Sequence, residues 1–219
     1  MVRPRICAVV TSTDAAAVER AERHADLYEL RLDMVGESWP SMIPLLHKPW
    51  IATCRLKSEG GSWETGEARR KEEILRALNL GASMVDLDID TPNLERLAAI
   101  IKKKAKLIVS YHNYNETPSS EKLKTIAQHQ FRAGADIAKI AAMAGSTDDT
   151  LRLLQVIGEF PGKEVVISAM GEAGAFSRIL APLAGSPFTY AATVKGQESA
   201  KGQFTASELR KIYATLETT

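Results

Sequence analysis

The sequence predicts one (β/α)8 barrel over residues 1–219, on three observations. Eight short runs rich in Val, Ile, Leu and Tyr alternate with stretches of helical period, and such alternation gives parallel strands with right-handed crossovers. Two of these runs, YELRLD at 28–33 and MVDLDID at 84–90, carry charge on every second residue. In a parallel sheet covered by helices, a charged strand face has to point into a barrel. The turn after the first run, VVTSTDAA, has none of the glycines that a nucleotide-binding doubly wound sheet uses there.

Taken in order, the strands are predicted at 5–11, 27–33, 50–56, 84–90, 106–112, 137–143, 164–170 and 188–194, from length and β-branched content. Helix starts are predicted at Asp14 before AAAVERAERHA and at Thr91-Pro92 before NLERLAAIIKKK. Thr117-Pro118 precedes the segment ending FRAGAD, and Ser207 marks the final helix. A short oxygen-bearing side chain can accept from the first free N–H groups of a helix, and proline suits its first turn. On the second strand Glu29, Arg31 and Asp33 share one face; on the third Thr53 and Arg55 do; on the fourth Asp86, Asp88 and Asp90 do. Pairing with Arg31 and Arg55 accounts for the aspartates without a metal ion.

Composition narrows the function. The 219 residues are 45% hydrophobic, and 28 basic against 27 acidic residues leave a net charge of +1, with no basic patch for nucleic acid or an anionic membrane. The expected partner is a small molecule. Cys7 and Cys54 fall in apolar strands, far from any zinc-binding spacing, and read as small core residues. No secretory leader or membrane-spanning run is visible, so the expected location is the cytoplasm.

Lys139 lies in the apolar run ADIAKIAAMA, with no neighbour in sequence to neutralise its ammonium. An amine desolvated there can attack a carbonyl carbon to form an imine; taken alone, a strand lysine can equally reach the surface or pair with a distant carboxylate. His112 ends the fifth strand, LIVSYHNY, where barrel enzymes concentrate catalytic groups, and a neutral imidazole suits proton transfer at pH 7. Strands five and six are neighbours, about 5 Å apart, which brings an imidazole within reach of an imine on Lys139. Arg55 reads either as a substrate-binding group or as the partner of Glu29 or Asp86, and Glu59, before Gly60-Gly61, sits on a loop able to turn over the mouth. After strand seven, MGEAGAFSRIL supplies Arg178 as a carboxylate clamp; after strand eight, KGQESAKGQFTASE supplies Ser199 and Gln203 on a polar loop. A class I aldolase shares the lysine chemistry, but its phosphorylated substrates call for glycine and backbone donors where this chain has Arg178, Ser199 and Gln203.

Six motifs in this order, ELRLD at 29–33, TCRLKSEGG at 53–61, SYH at 110–112, AKIA at 138–141, MGEAGAFSR at 170–178 and ESAKGQ at 198–203, resemble type I 3-dehydroquinate dehydratase, the Schiff-base enzyme of the shikimate pathway. The resemblance spans nearly the whole chain. It implies that Lys139 forms the imine, that His112 removes the adjacent proton and that Glu59 orients and polarises His112. It further implies that Glu29, Arg31, Arg55, Arg178, Ser199 and Gln203 bind substrate, that no cofactor or metal takes part, and that the protein is a homodimer. Asn113 and Tyr114 stand where many members have an acidic residue and phenylalanine, and Lys201 stands where many have proline.

Overall fold

A computed structural model describes residues 3–200 and 202–217; Lys201 lies outside the described residues. The eight predicted strands are all present: β1 Ile6–Val10, β2 Leu27–Arg31, β3 Trp50–Thr53, β4 Met84–Asp88, β5 Lys106–Asn113, β6 Ile137–Met143, β7 Glu164–Met170 and β8 Thr189–Ala192. They pair in parallel in the order β7-β6-β5-β4-β3-β2-β1-β8, and β7 lies against β8 across the seam, closing a (β/α)8 barrel. Around it run α1 Ala15–Glu22, α2 Leu32–Val35, α3 Glu67–Asn79, α4 Leu94–Ile101, α5 Ser120–Arg132, α6 Thr147–Gly158, α7 Ser177–Leu183 and α8 Ala206–Glu217. Among the described residues no helix is long and apolar enough to cross a membrane.

Five predicted strands run past their observed ends: β1 and β8 by one and two residues, and β2, β3 and β4 by two or three. The charged face of β2 stops at Arg31, because Leu32 turns the chain into α2; Asp33 nevertheless folds back and takes Arg31 in a two-point ion pair, at 2.9 and 2.7 Å. The chain beyond α2 is a 3-10 run, Gly36–Leu45, instead of a longer α-helix, since Pro40 and Pro44 have no N–H to donate. β3 ends at Thr53, yet Arg55 stays inside, 4% exposed. β4 ends at Asp88, so Asp90 does not belong to the inner face as predicted; it sits exposed in the turn that follows.

Period-two alternation sorts each strand into two environments. Outward residues such as Leu30, Val85, Leu87, Val109 and Ile140 pack under the helices, and full burial of each such side chain is worth about 1.5–3 kcal/mol. Inward residues form an apolar plug of Cys7, Val9, Leu27, Ile51, Met84, Ile108, Ile137, Val166, Phe188 and Tyr190. Two residues further along the strands, the inward side chains become Glu29, Thr53, Asp86, Ser110, Lys139 and Ser168, all buried. The plug is the floor, and the polar layer above it lies towards the C-terminal ends where barrel enzymes carry their sites. Cys54 packs on the helix side, so both cysteines are buried and free.

Candidate active site

Above the plug opens a cavity of about 330 Å³. Its lining takes in Glu29, Arg31, Arg55, His112, Lys139, Arg178, Ser199 and Gln203, that is, each expected site residue except Glu59, whose neighbour Gly60 lines the mouth.

Lys139 projects inward from β6 and is 7% exposed. It is not without a counter-ion: Asp86 Oδ2 accepts from Nζ at 2.7 Å, and Glu29 Oε1 lies 3.6 Å away. The Tyr190 ring stands 4.5 Å from Nζ, a distance at which an aromatic face attracts a cation. Strand alternation places Asp86 inside the barrel, and the fold carries its carboxylate past β5 to this lysine. From behind, the buried Gln130 of α5 donates to the Lys139 carbonyl at 2.7 Å.

Ser110 pairs in register with Lys139, and His112 follows two residues on along the same inner face. Its Nδ1 meets Asp88 Oδ2 at 3.1 Å. A carboxylate can only accept, so Nδ1 carries the proton and Nε2 keeps its lone pair. Burial and the charge of Arg55, opposed by the bond to Asp88, push the imidazole down to about 4, below the near-neutral value that acid/base work suggested. At pH 7 the ring is neutral.

Glu59, expected to orient His112, makes no hydrogen bond to it. Its Oε2 lies 4.0 Å from Arg55 and accepts no hydrogen bond among the described residues, and burial with the nearby charge of Asp88 pushes the carboxyl up to about 7. Asp88 occupies the position on the imidazole. Arg55 fastens both aspartates of β4, donating to Asp86 at 2.7 Å and to Asp88 at 2.9 Å. Burial disfavours the charge on Asp86, but Arg55, Lys139 and His112 outweigh it and hold the carboxyl well below the usual range.

Arg178 is different from Arg55. It is 2% exposed; among the described residues its Nε has no hydrogen-bond partner, and Nη1 lies 3.5 Å from Ser168 Oγ. Burial alone lowers its guanidinium to about 10. The loop before it is tight because Gly174 passes against β7, where a Cβ would lie 2.5 Å from the Ala169 carbonyl carbon. Ser177 then accepts from the Ala169 N–H at 3.2 Å, fixing the start of α7 so that Arg178 faces inward. On the loop after β8, Gln203 Oε1 accepts from the Ser199 N–H at 2.9 Å, folding that loop over the cavity. The result is a cavity, open at its mouth, that holds an amine, a neutral imidazole and a guanidinium with no carboxylate partner among the described residues.

A model of the type I 3-dehydroquinase family matches residues 6–219. The chain is 44% identical over 213 residues to the 3-dehydroquinate dehydratase of Dehalococcoides mccartyi, covering 97% of this chain and 96% of the relative. It is 37% identical over 216 residues to that of Methanocaldococcus jannaschii, covering 95% and 97%. The crystal structure of the 3-dehydroquinate dehydratase of Geobacillus kaustophilus superimposes with a TM-score of 0.89 at 28% identity, covering 99% of this chain and 92% of that one. A type I 3-dehydroquinate dehydratase of Clostridium difficile, solved with covalently modified comenic acid, gives 0.85 at 25% identity, covering 99% and 93%. Sequence and barrel thus agree over nearly the full length, and the chain belongs to the type I 3-dehydroquinases.

Proposed function

We propose that this chain dehydrates 3-dehydroquinate to 3-dehydroshikimate by syn elimination, with Lys139 as the imine former and His112 as the proton carrier, in one catalytic domain spanning residues 1–219. The observation that carries the reading is the meeting of Lys139 and a neutral His112 in one cavity. Lys139, having passed its ammonium proton to the neutral His112, attacks the substrate ketone; His112 returns that proton to the carbinolamine oxygen, which leaves as water and gives an iminium, an electron sink. His112 Nε2 takes the proton from the carbon beside it, giving an enamine, and returns that proton to the β-hydroxyl as the C–O bond breaks and water leaves. A second water hydrolyses the product imine and frees Lys139.

The carboxylate of the substrate is assigned to Arg178, whose buried charge lacks a counter-ion among the described residues. Glu29, Arg31, Arg55, Ser199 and Gln203 are assigned to the ring hydroxyls. Asp88 is assigned the orientation of His112, with Glu59 acting from beside Arg55. The reaction draws on these side chains, and the resemblance adds a cytoplasmic homodimer, expected to sediment at twice the 23.9 kDa of the chain.

Borohydride added with 3-dehydroquinate tests the assignment. The expected result is a stable adduct mass on the peptide containing Lys139, together with the ultraviolet absorbance of a conjugated enone carboxylate when borohydride is omitted. Absence of both, or full turnover by Lys139→Ala, rules the mechanism out.

A further inference from the structure

The segment after β5 and the loop after β3 meet at the cavity mouth through one side chain. Asn113 Oδ1 accepts from the N–H groups of Asn115 and Glu116 at 2.9 and 3.1 Å, which turns the chain and presents Tyr114. The Tyr114 hydroxyl donates to the Glu59 carbonyl at 3.1 Å. The phenol end of its ring abuts Gly60, where a Cβ would come within 2.1 Å of the hydroxyl oxygen, and Gly60 has the left-handed φ of 74° that glycine adopts without cost. The same ring is nearly parallel to the His112 imidazole, 14° between planes and 6.3 Å between centres. The far side of the loop is held by Ser62 N–H donating to Asp33 at 3.0 Å and Trp63 N–H donating to the Arg55 carbonyl at 3.1 Å.

We propose that Tyr114 is a positioning residue, whose hydroxyl latches the turn at Glu59 and Gly60 to the end of β5 and so holds the Glu59 carboxyl beside Arg55 and above the His112–Asp88 pair. This rests on the assignment of His112 as proton carrier. A phenylalanine at 114 keeps the ring against Gly60 and His112 but offers the Glu59 carbonyl nothing. The hydroxyl therefore adds a tie that the ring alone does not supply, and the tie bears on the residues that move the proton, whereas Arg178 and Gln203 hold substrate from the other side of the mouth.

Tyr114→Phe separates these effects. In the free protein, hydrogen exchange of the peptide spanning residues 57–63 should quicken by about three- to tenfold, the effect of losing one ordinary hydrogen bond, while Tm falls by no more than roughly 2–4 °C. With 3-dehydroquinate, kcat should fall by about three- to tenfold while KM stays within about twofold. Loop exchange identical to wild type overturns the latch. Comparably faster exchange throughout the chain with a Tm lowered beyond that range makes the hydroxyl a general stabiliser and overturns the positioning role, as does an unchanged kcat beside a loosened loop. A wild-type protein that does not dehydrate 3-dehydroquinate overturns the proposed function instead, and the exchange measurement still judges the latch by itself.

Discussion

The 3.1 Å contact between His112 Nδ1 and Asp88 decides which nitrogen of the imidazole faces substrate, and with it whether the ring enters the reaction as a base. The depressed value of about 4 has a direct consequence for rate. An unperturbed histidine would protonate and stop working below about pH 6.5; here kcat/KM should hold on the acid side and fall with a midpoint near pH 4. A profile that breaks near 6.5 would show that the imidazole is not held as described. Asp88→Asn removes the obligatory acceptor, lets the ring take the other tautomer, and should lower kcat by about tenfold or more with little change in KM. Lys139 and His112 were legible in the sequence because a polar residue in an apolar strand, or at a strand's C-terminal end, is conspicuous. Asp88 as the imidazole's partner was not. Alternation assigns Asp86, Asp88 and Asp90 to one face but says nothing of which reaches across to β5, and the strand stops before Asp90. Glu59 was legible as a loop residue near the mouth, not as a half-buried carboxyl against Arg55.

At the scale of elements, β6 and β7 were readable to the residue, because both are bounded by polar turns and buried on both faces. Ends were misread where a strand continues as extended chain without pairing, as at Cys54 and Arg55. Of the helix starts, Asp14 is the N-cap predicted, its carboxylate accepting from Ala17 N–H at 3.0 Å. The others fall one or two residues away. Pro92 and Pro118 hold the preceding residue extended, so the caps become Asn93 and Ser119, while Thr205 rather than Ser207 exchanges hydrogen bonds with Glu208 before α8. α6 starts with the same reciprocal pair: Ser146 accepts from Asp149 N–H at 3.2 Å and Asp149 accepts in return from Ser146 N–H at 3.1 Å. Ser146→Ala should remove about 1 kcal/mol of stability, a fall in Tm of roughly 2–4 °C for a chain of this size, measurable by calorimetry. A fall many times larger would mean that the side chain holds more than its helix.

Across the whole molecule the barrel keeps an ionic layer on an apolar floor, and the charges of that layer depend on one another. Arg55 is the hub, fixing Asp86, which fixes Lys139, and Asp88, which fixes His112. The same arrangement that presents the nucleophile and the base is therefore a structural element, with partners only a few per cent exposed and little screened by salt. Removing one member of a buried ionic group strands the others, at a cost of about 3–5 kcal/mol. Arg55→Gln should show that loss in urea unfolding at pH 7. The sign with pH follows from the carboxylates. In the wild type, Asp86 sits below its unfolded value, so its contribution is complete above about pH 4 and is lost only in stronger acid. A deficit under about 1 kcal/mol at pH 7 would mean that water or Lys139 already neutralises the aspartates without Arg55.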